Sequence, residues 1–174
     1  MKSLANRAAI RIKQANPEGT SSVEIMQYSL GIILNTLFII LTTAVIGIIT
    51  GHLAEFMTFL FSFSLLRLSS GGFHLKTALA CNIVSVLLST LIPFFFNFSG
   101  QPLLIINSIC LFIMVLFAPN PDKNAQVPRK LYPALKLTSI LLVASNFFIH
   151  SSVIGLAFLV QSLTVIPWER RGEQ

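Results

Sequence analysis

A cysteine and a histidine are among the few side-chain pairs that give a protein both a nucleophile and a proton carrier. The stretch RLSSGGFHLKTALAC, from Arg67 to Cys81, places His74 and Cys81 beside a glycine pair, Gly71 and Gly72, in a short polar interruption between two apolar runs. In lipid, such interruptions are where non-helical backbone and ionisable groups are tolerated. A thiolate attacks a carbonyl well, and a nearby cation favours the thiolate; Arg67 and Lys76 are the cations of this stretch. His74 is the candidate general base and acid. The ordinary reading is that a cysteine in a membrane helix is a small apolar filler. Cys110, mid-span and without polar company, fits that reading. His52 and His150 read as interfacial histidines satisfied by water.

Spacing constrains the pair. His74 and Cys81 are seven positions apart. On a straight helix they share a face but lie about 10.5 Å apart along the axis. A working pair must approach to roughly 2.6–3.2 Å, or be bridged by one water. A continuous helix through both is therefore incompatible with a direct dyad. Gly71 and Gly72 give the backbone freedom to turn. His74 is expected on a loop or re-entrant turn, with Cys81 near the start of the following span. The alternative is a homodimer in which a second protomer donates the histidine. Ser69, Ser70, Asn82 and Glu24 are all candidates for a third, orienting residue, and none stands out. Oxyanion donors are expected among backbone N–H groups near Cys81.

The elements that must hold these residues follow from composition. Of 174 residues, 54% are hydrophobic and 10% charged, and the mean hydropathy is +0.80. Soluble domains carry about 25% charged residues, so the bilayer is the natural solvent. Residues 1–27 are polar and basic, and the first apolar run is too long for the h-region of a secretory signal. Insertion through internal spans is expected. Two cysteines in different apolar contexts make no disulfide framework. The three histidines and two cysteines are scattered over different spans, so neither a metal site nor a cofactor is expected.

A span needs about 20 apolar residues. Leu30 to Thr50 fits, and Leu53 to Leu68 is short. The uncharged stretch from Thr77 to Pro121 is broken by the turn-rich cluster 97–102, giving a hairpin of Leu75 to Phe96 and Leu103 to Ala118. Pro93 is a candidate kink in the first arm. Leu137 to Trp168 is broken best at His150. Six spans with both termini inside put all 12 Lys and Arg on the cytoplasmic side, whereas five would move Arg170 and Arg171 outside. The net charge of +6 therefore reads as membrane orientation and not as nucleic-acid binding. Spans five and six are expected to be short or partly re-entrant. Within Leu4 to Ala15, Leu4, Ala8 and Ile12 share one helical face while Arg7 and Arg11 share another. This is the pattern of an amphipathic helix on the cytoplasmic membrane surface. The expected fold is all-α and polytopic. It is one membrane-embedded domain over residues 1–174, with a cytoplasmic amphipathic segment at 1–29 and a basic cytoplasmic loop at 119–136.

The combination of Arg67, Gly71-Gly72, His74 and Cys81 between spans resembles the accessory gene regulator protein B (AgrB) family of Gram-positive bacteria. The resemblance covers most of the chain. It includes Tyr28-Ser29-Leu30-Gly31 entering span one, and Ala118-Pro119-Asn120-Pro121-Asp122-Lys123-Asn124 leading into the basic loop. It departs at Ile32 and Ile33, where members often carry Gln or Glu. It implies a membrane cysteine endopeptidase that processes a quorum-sensing propeptide of the AgrD type, with Cys81 as nucleophile and His74 as its partner. It also implies supporting roles for Arg67 and Gly72, and a thioester resolved by ring closure. The implied partners are the propeptide and the lipid bilayer. The rival reading is a non-enzymatic membrane transporter or scaffold for peptide export. Its mark would be ionisable groups inside the spans, which this sequence almost lacks.

Overall fold

The computed structural model describes residues 2–73, 77–121 and 128–167. Seven α-helices account for most of them: α1 (Lys2–Ala15), α2 (Val23–Thr50), α3 (Leu53–Ser70), α4 (Ala78–Phe95), α5 (Gln101–Phe117), α6 (Tyr132–Ile149) and α7 (Ser152–Val165). A single 3-10 turn, Arg129–Leu131, leads into α6. Among the described residues there is no strand. A single isolated bridge pairs Gly71 with Asn120.

Local chemistry marks the helix ends. Ser22 opens α2 by accepting the Ile25 N–H, and Gly51 closes it in the left-handed conformation (φ 76°). The turn into α3 is tight, because a Cβ on Gly47 would sit 2.8 Å from the Leu53 Cα. Thr77 caps α4 and Ser151 caps α7. Pro102 and Pro133 stand in the first turns of α5 and α6, where a missing N–H costs nothing. Pro93 lies in the last turn of α4, which runs on to Phe95.

The helices alternate in direction. At one end of the bundle Gly71–Phe73, Asn120 and the end of α7 meet through backbone hydrogen bonds. At the other end the His52 ring packs edge-on against Phe94, and Ser152 Oγ accepts the Phe98 N–H. This is the up-and-down order that six spans require. Helices α2, α3, α4 and the run Arg129–Ile149 are long and apolar enough to cross a membrane, while α5 and α7 are shorter apolar helices. With 14 residues, α7 is about 21 Å long, short of a hydrocarbon core of roughly 30 Å. Its position explains how it tolerates that. It packs against α3, α4, α5 and α6, and protein rather than lipid covers Leu156, Ala157, Phe158, Gln161 and Val165. Gly155 lets α7 approach α5, since a Cβ there would meet Leu103 Cδ1 at 2.7 Å. Elsewhere large apolar side chains such as Ile49, Leu68 and Phe148 point outward, as lipid-facing residues must.

Two expectations are adjusted and one is extended. α2 begins at Val23 rather than near Leu30, because Ser22 caps it and Tyr28 and Ser29 continue the helix. α6 begins at Tyr132, so the last five residues of the 119–136 segment are helical. α1 in addition docks on α2 through Ala5 and Ala9, which are fully buried and lie beside the Leu4–Ala8–Ile12 face expected on the membrane surface. The small alanines permit close approach and leave Leu4 and Ile12 exposed.

Candidate active site

Cys81 sits in the first turn of α4. Thr77 is extended (φ −127°, ψ 141°), and its side chain accepts the Ala80 N–H at 3.2 Å. The Cys81 N–H is bonded to the Thr77 carbonyl at 3.1 Å. The helix therefore does not reach back to residue 74, and Cys81 lies at the start of the span that follows the interruption. His74 and Lys76 lie outside the described residues.

The approach to His74 is described as far as Phe73, and it is held firmly. The Gly72 N–H donates to the Asn120 carbonyl, the Asn120 N–H to the Ser70 carbonyl (both 2.9 Å), and the Phe73 N–H to the Thr164 carbonyl (2.8 Å). Asn120 Nδ2 reaches the Val165 carbonyl at 2.9 Å. Three chain segments are thus stitched together just before the histidine. The glycine pair is what permits it. Gly71 and Gly72 have φ of +69° and +122°, and a Cβ on either would collide, with the Asn120 carbonyl oxygen at 2.5 Å or with Thr164 Oγ1 at 2.7 Å.

Arg67 supports the same turn. Its guanidinium donates to the Phe73 carbonyl at 2.6 Å and to Gln161 Oε1 at 3.4 Å, and it lies 5.8 Å from the centre of the Phe63 ring. Gln161, fully buried, donates from Nε2 to Ser70 Oγ (3.0 Å) and to the Gly71 carbonyl (2.6 Å). Its Oε1 also accepts from Thr164 Oγ1. Reading the sequence missed both Gln161 and Asn120. For Gln161 the available signal was an amide inside an otherwise apolar span, which is costly unless it is bonded.

The candidates for an orienting group have other partners. Ser69 bonds to Ser139 and to the Leu66 carbonyl, and Ser70 to Leu66 and Gln161. Asn82 donates to Asn35 Oδ1 at 3.3 Å. Glu24 is in the first turn of α2, far along the sequence from the interruption. Cys110 is fully buried in a cluster with Leu66, Met114, Val143 and Phe158. It fills the core.

Cys81 borders a cavity of about 400 Å³ between α2, α3 and α4. Arg67, Phe73 and Thr164 stand at the same end as the thiol, and Ile40, Leu60 and Leu88 line the deeper part. Such a space can hold an extended peptide segment against the thiol while apolar walls restrict water.

No solved structure matches the chain. A protein described as AgrB-like from Halalkalibacterium halodurans is 35% identical over 99 residues, covering 55% of this chain and half of that protein. Accessory gene regulator protein B of Staphylococcus aureus is 29% identical over 160 residues, covering 83% of this chain and 84% of its own length. An AgrB-like protein of Clostridium perfringens is 28% identical over 138 residues, covering 73% and 64%. The family model for accessory gene regulator B matches residues 5–168, nearly the whole bundle, and the chain belongs to that family.

Proposed function

We propose that this protein is a membrane cysteine endopeptidase that removes the C-terminal tail of an AgrD-like propeptide and enables closure of a cyclic quorum-sensing peptide. The observation that carries the reading is the placement of Cys81. Its thiol borders a substrate-sized cavity in the first turn of α4, and the braced turn at Gly71–Phe73 leads directly to His74.

In the first step the Cys81 thiolate attacks the scissile carbonyl carbon and a C–S bond forms. The C–N bond then breaks, and the leaving amine takes a proton from His74. Helix geometry leaves the N–H groups of Ala78 and Leu79 without intrahelical acceptors, one turn from the thiol. They are the candidate donors to the oxyanion. In the second step an internal Cys or Ser of the peptide gives its proton to neutral His74 and attacks the thioester. The C–S bond breaks and the Cys81 thiolate is regenerated. Apolar walls protect the thioester from hydrolysis. The whole chain acts as one membrane-embedded domain, with both termini and the thiol on the cytoplasmic side, where the basic residues collect. Lys76 adds to the positive charge there, which suits an acidic propeptide tail.

The test supplies a propeptide whose ring-closing residue is changed to alanine. The acyl-enzyme cannot then resolve by cyclisation. It should accumulate as a protein adduct that hydroxylamine releases at neutral pH and that is absent from Cys81→Ala. Efficient processing by Cys81→Ala would remove the peptidase reading and leave the export scaffold in its place.

A further inference from the structure

The cavity beside Cys81 has a direction. Ser85 and Leu88 follow Cys81 along α4 and line the same space. Leu88 is seven residues on, so the cavity runs about 10 Å from the thiol toward the middle of the bundle. Its walls are overwhelmingly apolar, whereas Arg67 and Thr164 stand near the thiol. Its volume of about 400 Å³ compares with roughly 150 Å³ for a cavity that binds benzene. One bulky side chain fits, with room for a second.

Thr36, Ser64 and Ser85 are also among the residues that line this space. Further along α4, Ser89 and Thr90 bond back to carbonyls of their own helix. Among the described residues, the side chains of Thr36, Ser64 and Ser85 make no such bond. A lipid tail has no use for free donors and acceptors in its pocket, but a peptide backbone does.

We propose that this cavity is the specificity pocket of the protease, seating a large aliphatic or aromatic side chain on the residue that supplies the scissile carbonyl. This rests on Cys81 being the nucleophile. The acyl half must stay bound between cleavage and ring closure, while the amine half must leave. An apolar side chain lodged at membrane depth anchors the first and plugs the site against water. The charged end beside Arg67 suits departure of a polar tail.

The test uses the full-length protein in lipid nanodiscs and three alkylating peptides: acetyl-Ala-Ala chloromethyl ketones ending in Phe, Ala or Asp. Alkylation of Cys81 is followed by mass spectrometry. The Phe probe should react at least tenfold faster than the Ala and Asp probes. Leu88→Trp and Ser85→Leu, which fill the cavity, should each bring the Phe-to-Ala ratio toward one. Equal rates for the three probes on the wild type would overturn the pocket while leaving Cys81 as nucleophile. So would a preference that survives both filling variants, or loss of a co-purified lipid as their sole effect. If Cys81 reacts with iodoacetamide but with none of the peptide probes, the peptidase reading itself fails.

Discussion

The two cysteines are chemically alike and differ only in surroundings, which makes them each other's control. Cys110 is enclosed by apolar side chains in the core. Cys81 opens onto the cavity. Cys110→Ala is expected to cost roughly 1 kcal/mol of packing and to keep propeptide processing, measured as released tail per unit of membrane-inserted protein. Cys81→Ala should abolish processing at normal abundance, and His74→Ala should slow it by about 10²–10⁴-fold. Loss of cleavage in Cys110→Ala at normal abundance would show that the nucleophile had been assigned to the wrong cysteine. Residue chemistry singled out Cys81 and His74 as nucleophile and base, and their spacing required a break in the helix between them if they are to pair; α4 starts only at Ala78. Nothing in the sequence distinguished among Ser69, Ser70 and Asn82, because their partners lie on other helices.

At the scale of elements, the turn before His74 is the part most sensitive to small changes. Gly72→Ala must adopt φ near +122° and place a methyl 2.7 Å from Thr164 Oγ1, a strain of roughly 1–3 kcal/mol. Processing should fall sharply. Gly31→Ala is the contrast, since nothing lies within 4 Å of a Cβ there and a helix gains about 0.5–1 kcal/mol from the exchange. Thermal unfolding in detergent and the cleavage assay together separate the two outcomes. Equal behaviour of the two variants would remove the structural reason given for the glycine pair. Helix number and order were legible because apolar runs, caps and turn residues are local signals. The buried amides were not. Gln161 looks like one polar residue in a span until Ser70, Gly71 and Arg67 are brought to it from nearly a hundred residues away. The docked face of α1 was missed for a related reason. Amphipathic patterning weights large side chains, while helix–helix contact in a membrane favours small ones such as Ala5 and Ala9.

For the whole molecule, alternation of helix direction places the Arg67–Phe73 turn and the 3-10 turn at Arg129–Leu131 at one end, and the loop at Phe96–Gly100 at the other. With single cysteines in a background lacking Cys81 and Cys110, Ser99→Cys should label on intact cells with an impermeant maleimide. Lys130→Cys should label only after permeabilisation. The reverse pattern would invert the orientation and put the candidate site on the outer face. Charge distribution is what makes the orientation readable, because no basic residue falls in the three loops assigned to the outside.

The bond from the Phe73 N–H to the Thr164 carbonyl also sets an order of events during synthesis. Residue 164 lies on α7, which leaves the ribosome after α3 and α4. Gln161, which fixes the Gly71 carbonyl, arrives on the same helix. A nascent chain that has reached Ile149 therefore carries Cys81 and the Gly71–Phe73 turn but lacks the contacts from α7 that hold that turn. Under the proposed function, processing therefore requires α7 as well as the segment that carries the thiol, and a copy without α7 in place holds Cys81 without that brace.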